Sequence, residues 1–151
     1  MFVGDEATAK KLVDEQGKKR IASQIEPDGR QPFEMVRTKA YDYSRFNLEA
    51  LENLAMFAQR VGVDLWSYKT EDGRSIRAAL DWLAPYASGV KKWDGKQITE
   101  PKMSETVRVF RLAAKGYHDA KYEAVAKAAR ARGKLEPGDR TDLVFPPMKE
   151  D

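Results

Sequence analysis

The segment from residue 31 to residue 66 constrains the fold more than any other part of the chain. It begins as a loop opened by Pro32 and rich in charged and tyrosine residues, and it continues as a long apolar-faced stretch. The apolar positions with the i, i+3, i+4, i+7 spacing of a helix are Leu51, Leu54, Ala55, Ala58 and Val61. Phe46, Ala50 and Phe57 widen this stripe, which predicts a helix packed between neighbours.

The polar residues that precede this helix are presented at the end of a rigid element. They are Glu34, Arg37, Lys39, Tyr41, Asp42, Tyr43 and Arg45. Polar side chains on a loop held by a buried scaffold are a common location for function. We therefore expect the active region of the protein at this loop.

Composition limits the class of protein and the chemistry open to it. The chain has 151 residues, of which 42% are hydrophobic and 34% charged, as expected for one globular domain spanning residues 1–151. Cysteine is absent and His118 is the single histidine, which excludes disulfides, thiolate metal sites and multi-histidine metal sites within the chain. The net charge of +3 is compatible with a polyanionic ligand.

Hydrophobic periodicity predicts an all-α protein of about five helices. They are expected at residues 5–25, 41–61, 75–86, 103–115 and 119–132. Gly62 is predicted to end the second helix as a left-handed cap, and Gly116 to separate the last two. Residues 133–147, which include Pro137, Gly138 and the Pro146-Pro147 pair, are predicted to be irregular. Strand-like alternation is absent, and there is no apolar run long enough to cross a membrane.

Arg37 and Tyr43 form the pair best suited to catalysis. A free tyrosine has a pKa near about 10 and is a poor base unless a nearby cation stabilises its phenolate. Arginine is permanently charged, and its planar fork matches a carboxylate. A loop with both could hold a uronate carboxylate and move a proton beside it, as β-elimination of an acidic sugar requires. The same spacing also fits a surface ion pair and a packed ring.

Other candidate residues have simpler structural interpretations. The aromatic residues Trp66, Tyr68, Trp82, Tyr86 and Trp93 could stack on sugar rings, although core packing explains most of them. His118 and Asp119 could form an acid/base pair or a helix cap. Residues 72–75 read as a turn leading into a helix N-cap. The sequence contains no glycine-rich phosphate loop, nucleophile elbow or metal-binding spacing.

Four blocks of the sequence resemble the alginate lyase family of polysaccharide lyases. They are QIEPDGRQPFEMVRTKAYDYSRFNLEAL, VGVDLWSYKTEDGRSIRAALDWLAPY, KKWDGKQI and the tail DRTDLVFP. The resemblance implies a partial α/α toroid, in which inner and outer helices alternate around a cleft. It also implies β-elimination of mannuronate-type uronic acid polymers without a cofactor.

The resemblance assigns roles to individual residues. The family's RT-x-x-x-x-Y-S run falls on Arg37, Thr38, Tyr43 and Ser44. Tyr43 would then transfer the proton, while Arg37 would hold the substrate carboxylate and stabilise the phenolate. Asp42 stands where members often have histidine, and Tyr41 is a rival for the tyrosine role. The residues expected to contact substrate are Gln31, Glu34, Lys39, Tyr41, Arg45 and Trp66.

Members of the family also use an asparagine-histidine pair upstream of a segment similar to MFVGDEATA. We expect this pair to lie outside the chain, which would then correspond to the C-terminal half or so of a toroid and expose apolar helix faces. Those faces could support self-association. The family is periplasmic or secreted, whereas the first residues of this chain lack the layout of a signal peptide, so the chain on its own is expected in the cytoplasm.

Three functional hypotheses follow. The chain is a lyase acting on an acidic polysaccharide, a non-catalytic helical module that at most binds such a glycan, or an unrelated helical interaction domain. None of the three involves nucleic acid, a membrane or a metal.

Overall fold

A computed structural model of the chain describes residues 4–133 and 140–147 and confirms the all-α prediction. These residues contain seven helices and no strand. The helices are α1 (Glu6–Gln24), α2 (Pro32–Met35), α3 (Ala40–Arg60), α4 (Ile76–Ser88), α5 (Met103–Tyr117), α6 (Ala120–Arg132) and α7 (Thr141–Val144). The five long helices lie where the periodicity predicted them, to within about two residues at each end.

Side-chain caps explain where the helices begin. The Asp5 carboxylate accepts a hydrogen bond from the Thr8 N–H at 3.0 Å, and the Ser75 hydroxyl accepts one from the Ala78 N–H at 3.0 Å. Each cap satisfies a backbone donor that the first helical turn leaves without a partner. Gly62 follows α3 with a φ of 71°, in the left-handed conformation predicted for it.

The prediction that Gly116 separates two helices is wrong. Gly116 lies inside α5, and its missing side chain allows the helix to contact an indole ring. A Cβ atom at Gly116 would stand 2.5 Å from Cζ2 of Trp66. The helix ends instead at His118, whose φ of 51° makes it a left-handed C-cap. Gly116 therefore allows α5 to pack closely against Trp66 and does not end the helix.

Helix α3 lies at the centre of the packing. It contacts α1, α2, α4 and α5, while α6 packs against α4 and α5. The core is formed by buried apolar side chains from five helices, namely Ile21, Leu48, Leu51, Leu80, Leu83, Val107, Phe110, Tyr122 and Ala126. Burial of this apolar surface is the main stabilising contribution to the fold.

One face of α3 remains uncovered, contrary to the prediction that this helix is packed between neighbours; exposed apolar helix faces were expected only from the resemblance to a larger toroid. Phe46 and Phe57 are 61% and 57% exposed, and Ala50 is also exposed. Positions 46, 50 and 57 lie four and eleven residues apart, so they share one side of the helix. The neighbouring helices cover the Leu48–Leu51–Ala55 side and leave this apolar side open to solvent.

Two short helices escaped the sequence prediction. Helix α2 lies in the loop before α3, and α7 lies in the tail that was predicted to be irregular. Arg111 holds α7 against α5, since its guanidinium donates to the Asp142 carboxylate at 2.5 Å and to the Phe145 carbonyl at 2.6 Å. Residues 134–139, which include Pro137 and Gly138, lie outside the described part of the chain.

Candidate active site

Arg37 and Tyr43 are in direct contact. The Arg37 guanidinium carbon lies 3.9 Å from the centre of the Tyr43 ring, which is a close cation–π stack. Arg37 comes from the turn after α2, and Tyr43 from the first turn of α3. The Arg37 side chain is 49% exposed and lies 3.8 Å from the Glu34 carboxylate, while Tyr43 is half-buried. A permanent cation and a phenol therefore meet at the surface of the protein.

A short antiparallel bridge between Lys39 and Gln97 fixes the backbone between these two residues. The Ala40 N–H donates to the Lys96 carbonyl at 2.9 Å, and the Ile98 N–H donates to the Thr38 carbonyl at 3.1 Å. The segment that carries Arg37 and Tyr43 is thus tied to the loop between α4 and α5. Backbone hydrogen bonds of this kind restrict the freedom of the loop that contains Arg37.

Asp42 strengthens the same connection. Its carboxylate accepts hydrogen bonds from the Gln97 amide at 2.8 Å and from the Lys102 N–H at 3.1 Å. The resemblance described in the sequence analysis places a histidine of many family members at this position. In this chain the residue anchors the neighbouring loop through both carboxylate oxygens.

A groove with a volume of about 330 Å³ opens beside Tyr43. Tyr43 and the ring of Phe46 contribute aromatic surface, and Lys39 and Lys102 contribute positive charge. Lys39 forms no ion pair within the part of the chain that the structure describes, while Lys102 lies 3.5 Å from Glu105. Asp42 and Glu105 also line the groove, but Asp42 is hydrogen-bonded to Gln97 and to the Lys102 N–H, and Glu105 is paired with Arg45 and Lys102. Among the described residues, the Lys39 ammonium group is thus the cation without an ion-pair partner that can attract a carboxylated ligand next to the phenol.

Arg45 also lines the groove, but its charge is already compensated. The side chain is almost fully buried and pairs with Glu49 at 3.2 Å and with Glu105. Arg108 approaches the other side of Glu49 at 3.0 Å. Arg45 thus holds α3 and α5 together. Because its guanidinium is already paired with two carboxylates, it is not available to bind a substrate, contrary to its predicted role.

Burial decides between the two candidate tyrosines. Tyr41 is only 2% exposed, and its hydroxyl shares a hydrogen bond of 3.2 Å with the Thr106 hydroxyl. Its ring also meets Trp93 edge to face at 5.3 Å. Burial raises the pKa of Tyr41, which makes its phenolate harder to form. Tyr43 is therefore the tyrosine that a ligand in the groove can reach.

Gln31 is placed in the core, contrary to the expectation that it contacts substrate. It has no exposed surface. Its amide nitrogen donates to the Ser44 carbonyl at 3.0 Å, and its oxygen accepts from the Asn47 amide at 2.9 Å. These bonds fix the start of the loop before α3 to that helix and leave no polar side-chain atom for a ligand.

Trp66 also lies away from the predicted site. It is 4% exposed, and its ring meets Tyr117 edge to face at 5.0 Å. It stands beside Gln59, which is sixteen residues beyond Tyr43 on α3, a separation of about 24 Å along the helix axis. Trp66 therefore cannot contact a sugar that is bound at Tyr43.

The remaining candidates have structural roles. Trp82, Tyr86 and Trp93 form a cluster of rings with centroids 5.1–5.7 Å apart. Asp119 caps α6 and pairs with Arg77 at 3.0 Å, so it is not poised to orient His118.

Lys102 and Phe46 were not identified as groove residues from the sequence. Lys102 is far from Tyr43 in the chain, and only the folded loop brings it there. Phe46 was assigned to the core because it is apolar.

Within residues 4–133 and 140–147, no cluster of three or more histidine, aspartate or glutamate side chains is arranged to hold a metal ion. The helices of this part of the chain are also too short or too polar to cross a membrane.

Comparisons with known proteins show to which family the chain is related. The family model described as alginate lyase matches residues 1–93. The crystal structure of an alginate lyase from Bacteroides ovatus superposes with a TM-score of 0.82 at 34% sequence identity, covering 95% of this chain and 38% of that one. No curated protein sequence matches the chain. The chain thus spans well under half of its structural relative. Because the family model covers more than half of the residues and the helices superpose closely, the chain belongs to the alginate lyase family and has the fold of a partial α/α toroid.

Proposed function

We propose that the chain provides part of the catalytic site of a polysaccharide lyase that cleaves mannuronate-type uronic acid polymers by β-elimination. Membership of the alginate lyase family supports this proposal. The observation that carries it is the stack of Arg37 on Tyr43, at 3.9 Å, beside a groove lined with lysine. We infer further that the chain corresponds to the C-terminal portion of such a toroid. The family's periplasmic or secreted location stays a prediction.

The reaction needs a base, an acid and a partner for the substrate carboxylate. In its phenolate form, Tyr43 takes the proton from C5 of the uronate, and the electrons form a double bond between C4 and C5. The C4–O bond to the preceding sugar breaks, and its oxygen leaves with a proton, which the Tyr43 phenol can return. Tyr43 thereby acts first as the base at C5 and then as the acid at the leaving oxygen.

The cations around Tyr43 supply the electrostatic contribution. Removal of the C5 proton builds negative charge on the substrate carboxylate, and a fixed cation lowers the energy of that state. Arg37 and Lys39 are the groups in this role, with Lys102 at the far side of the groove. Loss of one such contact typically lowers the rate by about two to three orders of magnitude.

A second candidate function is binding of acidic polysaccharide without cleavage. The pairing of Arg37 with Glu34 favours it, since a guanidinium already held by a carboxylate is less available to substrate. His118 lies beside Gln59 at the other end of α3, so no histidine lines the groove within the described residues. A binding module of this kind would retain affinity for polyuronate and form no product.

Incubation of the purified chain with polymannuronate distinguishes the two functions. The lyase produces unsaturated uronate, which absorbs in the ultraviolet, and the absorbance rises with time and with protein concentration. A flat trace at high protein concentration, together with salt-sensitive binding of the same polymer, assigns the chain to the binding function. Polyguluronate serves as the comparison for substrate preference.

A further inference from the structure

A second polar groove lies at the opposite end of α3 from Tyr43. Two adjoining depressions, of about 400 and 480 Å³, share Gln59, Trp66, Gly116 and His118 in their walls. The shared residues place the two depressions side by side, and we call the pair the distal trough. The lining residues come from the last turns of α3, the C-terminal end of α5, the connector after α3 and the start of α4.

The walls of the distal trough are built by specific packing. Gly116 allows α5 to approach Trp66, as described above, and the left-handed backbone of His118 ends the helix at the rim. The indole nitrogen of Trp66 and the hydroxyl of Tyr117 are buried without a hydrogen-bond partner in the described part of the chain. Buried polar groups of this kind are uncommon in proteins, and both belong to residues that line the trough.

The distal trough is positively charged along its whole length. Arg60 and Lys115 line one depression, and Lys69 and Arg77 line the other. Asp64 is the single carboxylate in these walls, so four cations and one anion give a formal charge of +3.

Three of the four cations are uncommitted. Arg60, Lys69 and Lys115 are exposed and form no ion pair within residues 4–133 and 140–147. Arg77 is engaged with Asp119 at 3.0 Å.

The carboxylate of Asp64 does not cancel this charge for a ligand. It accepts hydrogen bonds from the Trp66 N–H at 3.0 Å, from the Ser67 N–H at 3.1 Å and from the Ser67 hydroxyl. These bonds hold the connector after α3 in a turn conformation. A ligand entering the trough therefore meets the free ammonium and guanidinium groups.

We propose that the distal trough is a second binding site for a carboxylated polysaccharide, engaging a stretch of polymer away from the cleavage groove; this rests on the proposed function for its substrate class. Cations distributed over two adjoining depressions suit a repeating anion better than a single phosphate. Trp66 is buried, and Tyr68 and Tyr117 are only partly exposed, so the walls present no row of open aromatic rings of the kind on which single-stranded nucleic acids stack.

Calorimetric titration of the full chain with polymannuronate, at low and high ionic strength, tests this inference. Arg60→Ala/Lys115→Ala is expected to weaken binding by about tenfold and to reduce its salt dependence. Lys19→Ala/Arg20→Ala removes the same charges from the exposed side of α1 and is expected to bind as the unmodified chain does. Lys69→Ala, at the other end of the trough, is the second variant, and thermal unfolding of each variant verifies the fold.

The outcomes separate this inference from the proposed function. Normal binding by Arg60→Ala/Lys115→Ala and by Lys69→Ala overturns the distal trough, whatever the lyase assay shows. Weakened binding by these variants, in a chain that forms no unsaturated product, supports the trough while the lyase function fails. Tighter binding of single-stranded DNA or a sulfated polymer, with the same dependence on Arg60 and Lys115, overturns the assignment to a carboxylated saccharide.

Discussion

The carboxylate of Asp42 accepts a hydrogen bond from the backbone N–H of Lys102 at 3.1 Å, across 60 residues of chain. Its other oxygen accepts from the Gln97 amide at 2.8 Å. One side chain beside Tyr43 thus adds to the backbone bonds between residues 38–40 and 96–98, and it holds the backbone of Lys102 close to the groove. The loop before α3 and the loop before α5 are therefore joined by side-chain and backbone hydrogen bonds.

Asp42→Ala is expected to release this loop. Loss of both acceptors leaves the partly buried Gln97 amide and the exposed Lys102 N–H to bond with water, so each lost hydrogen bond should cost only about 0.5–1.5 kcal/mol. Hydrogen exchange of the Lys102 amide should become faster while the α3 core stays protected. Asp94→Ala, an exposed change in the same loop, is the control. Unchanged exchange at Lys102 would show that Asp42 does not anchor the loop.

Glu52 makes the stability of the fold depend on pH. It is fully buried, and neither carboxylate oxygen has a hydrogen-bond partner in the described part of the chain. Burial raises the pKa of Glu52 well above its ordinary value of 4.5, with Glu49 raising it further and Arg108 opposing the rise. The folded protein thus keeps a proton that the unfolded chain releases above pH 4.5.

As pH rises from 4.5 toward the raised pKa of the folded state, the free energy of unfolding should fall by about 1.4 kcal/mol per pH unit. Glu52→Gln removes this titration. The free energy of unfolding of this variant, relative to that of the unmodified chain, should therefore increase as the pH rises. Urea unfolding between mildly acidic and neutral pH measures the difference, with the exposed Glu71→Gln as control. Parallel curves for Glu52→Gln and the unmodified chain would contradict the buried, protonated state.

Local sequence patterns predicted the long helices well because the signals act within a few residues. The spacing of Leu51, Leu54, Ala55 and Ala58, and the glycine at position 62, contain most of the information about α3. Gly116 was misjudged because its role depends on Trp66, fifty residues earlier in the chain. Helices of only four residues, such as α2 and α7, are too short to show the helical spacing of apolar residues.

The site was only partly predictable for the same reason. The contact between Arg37 and Tyr43 is local and follows from the turn that joins α2 to α3. Gln31 was expected at the surface because it is polar, yet Ser44 and Asn47 satisfy its amide in the core. Lys102 reaches the groove through a tertiary contact that no spacing near Tyr43 reveals.

Arg37→Ala is expected to weaken binding of polyuronate by about ten- to a hundredfold, because it removes one charged hydrogen-bonding partner of a carboxylate. Calorimetric titration at low ionic strength measures the effect. Arg30→Ala removes the same charge from an exposed arginine that pairs with Asp28 and should leave the affinity unchanged. If Arg30→Ala weakens binding as much as Arg37→Ala does, Arg37 contributes only general electrostatic attraction and is not a specific contact.

The central claim is that the Tyr43 phenol moves the proton, and two matched tyrosine changes test it most directly. Tyr43→Phe and Tyr41→Phe each remove one hydroxyl, two residues apart, and the rate of unsaturated-uronate formation from polymannuronate is measured for each. Tyr43→Phe should lower this rate by at least about a hundredfold while thermal unfolding stays unchanged, whereas Tyr41→Phe should lose only the stabilising contact with Thr106. Full activity of Tyr43→Phe, or a loss confined to Tyr41→Phe, would contradict the assignment.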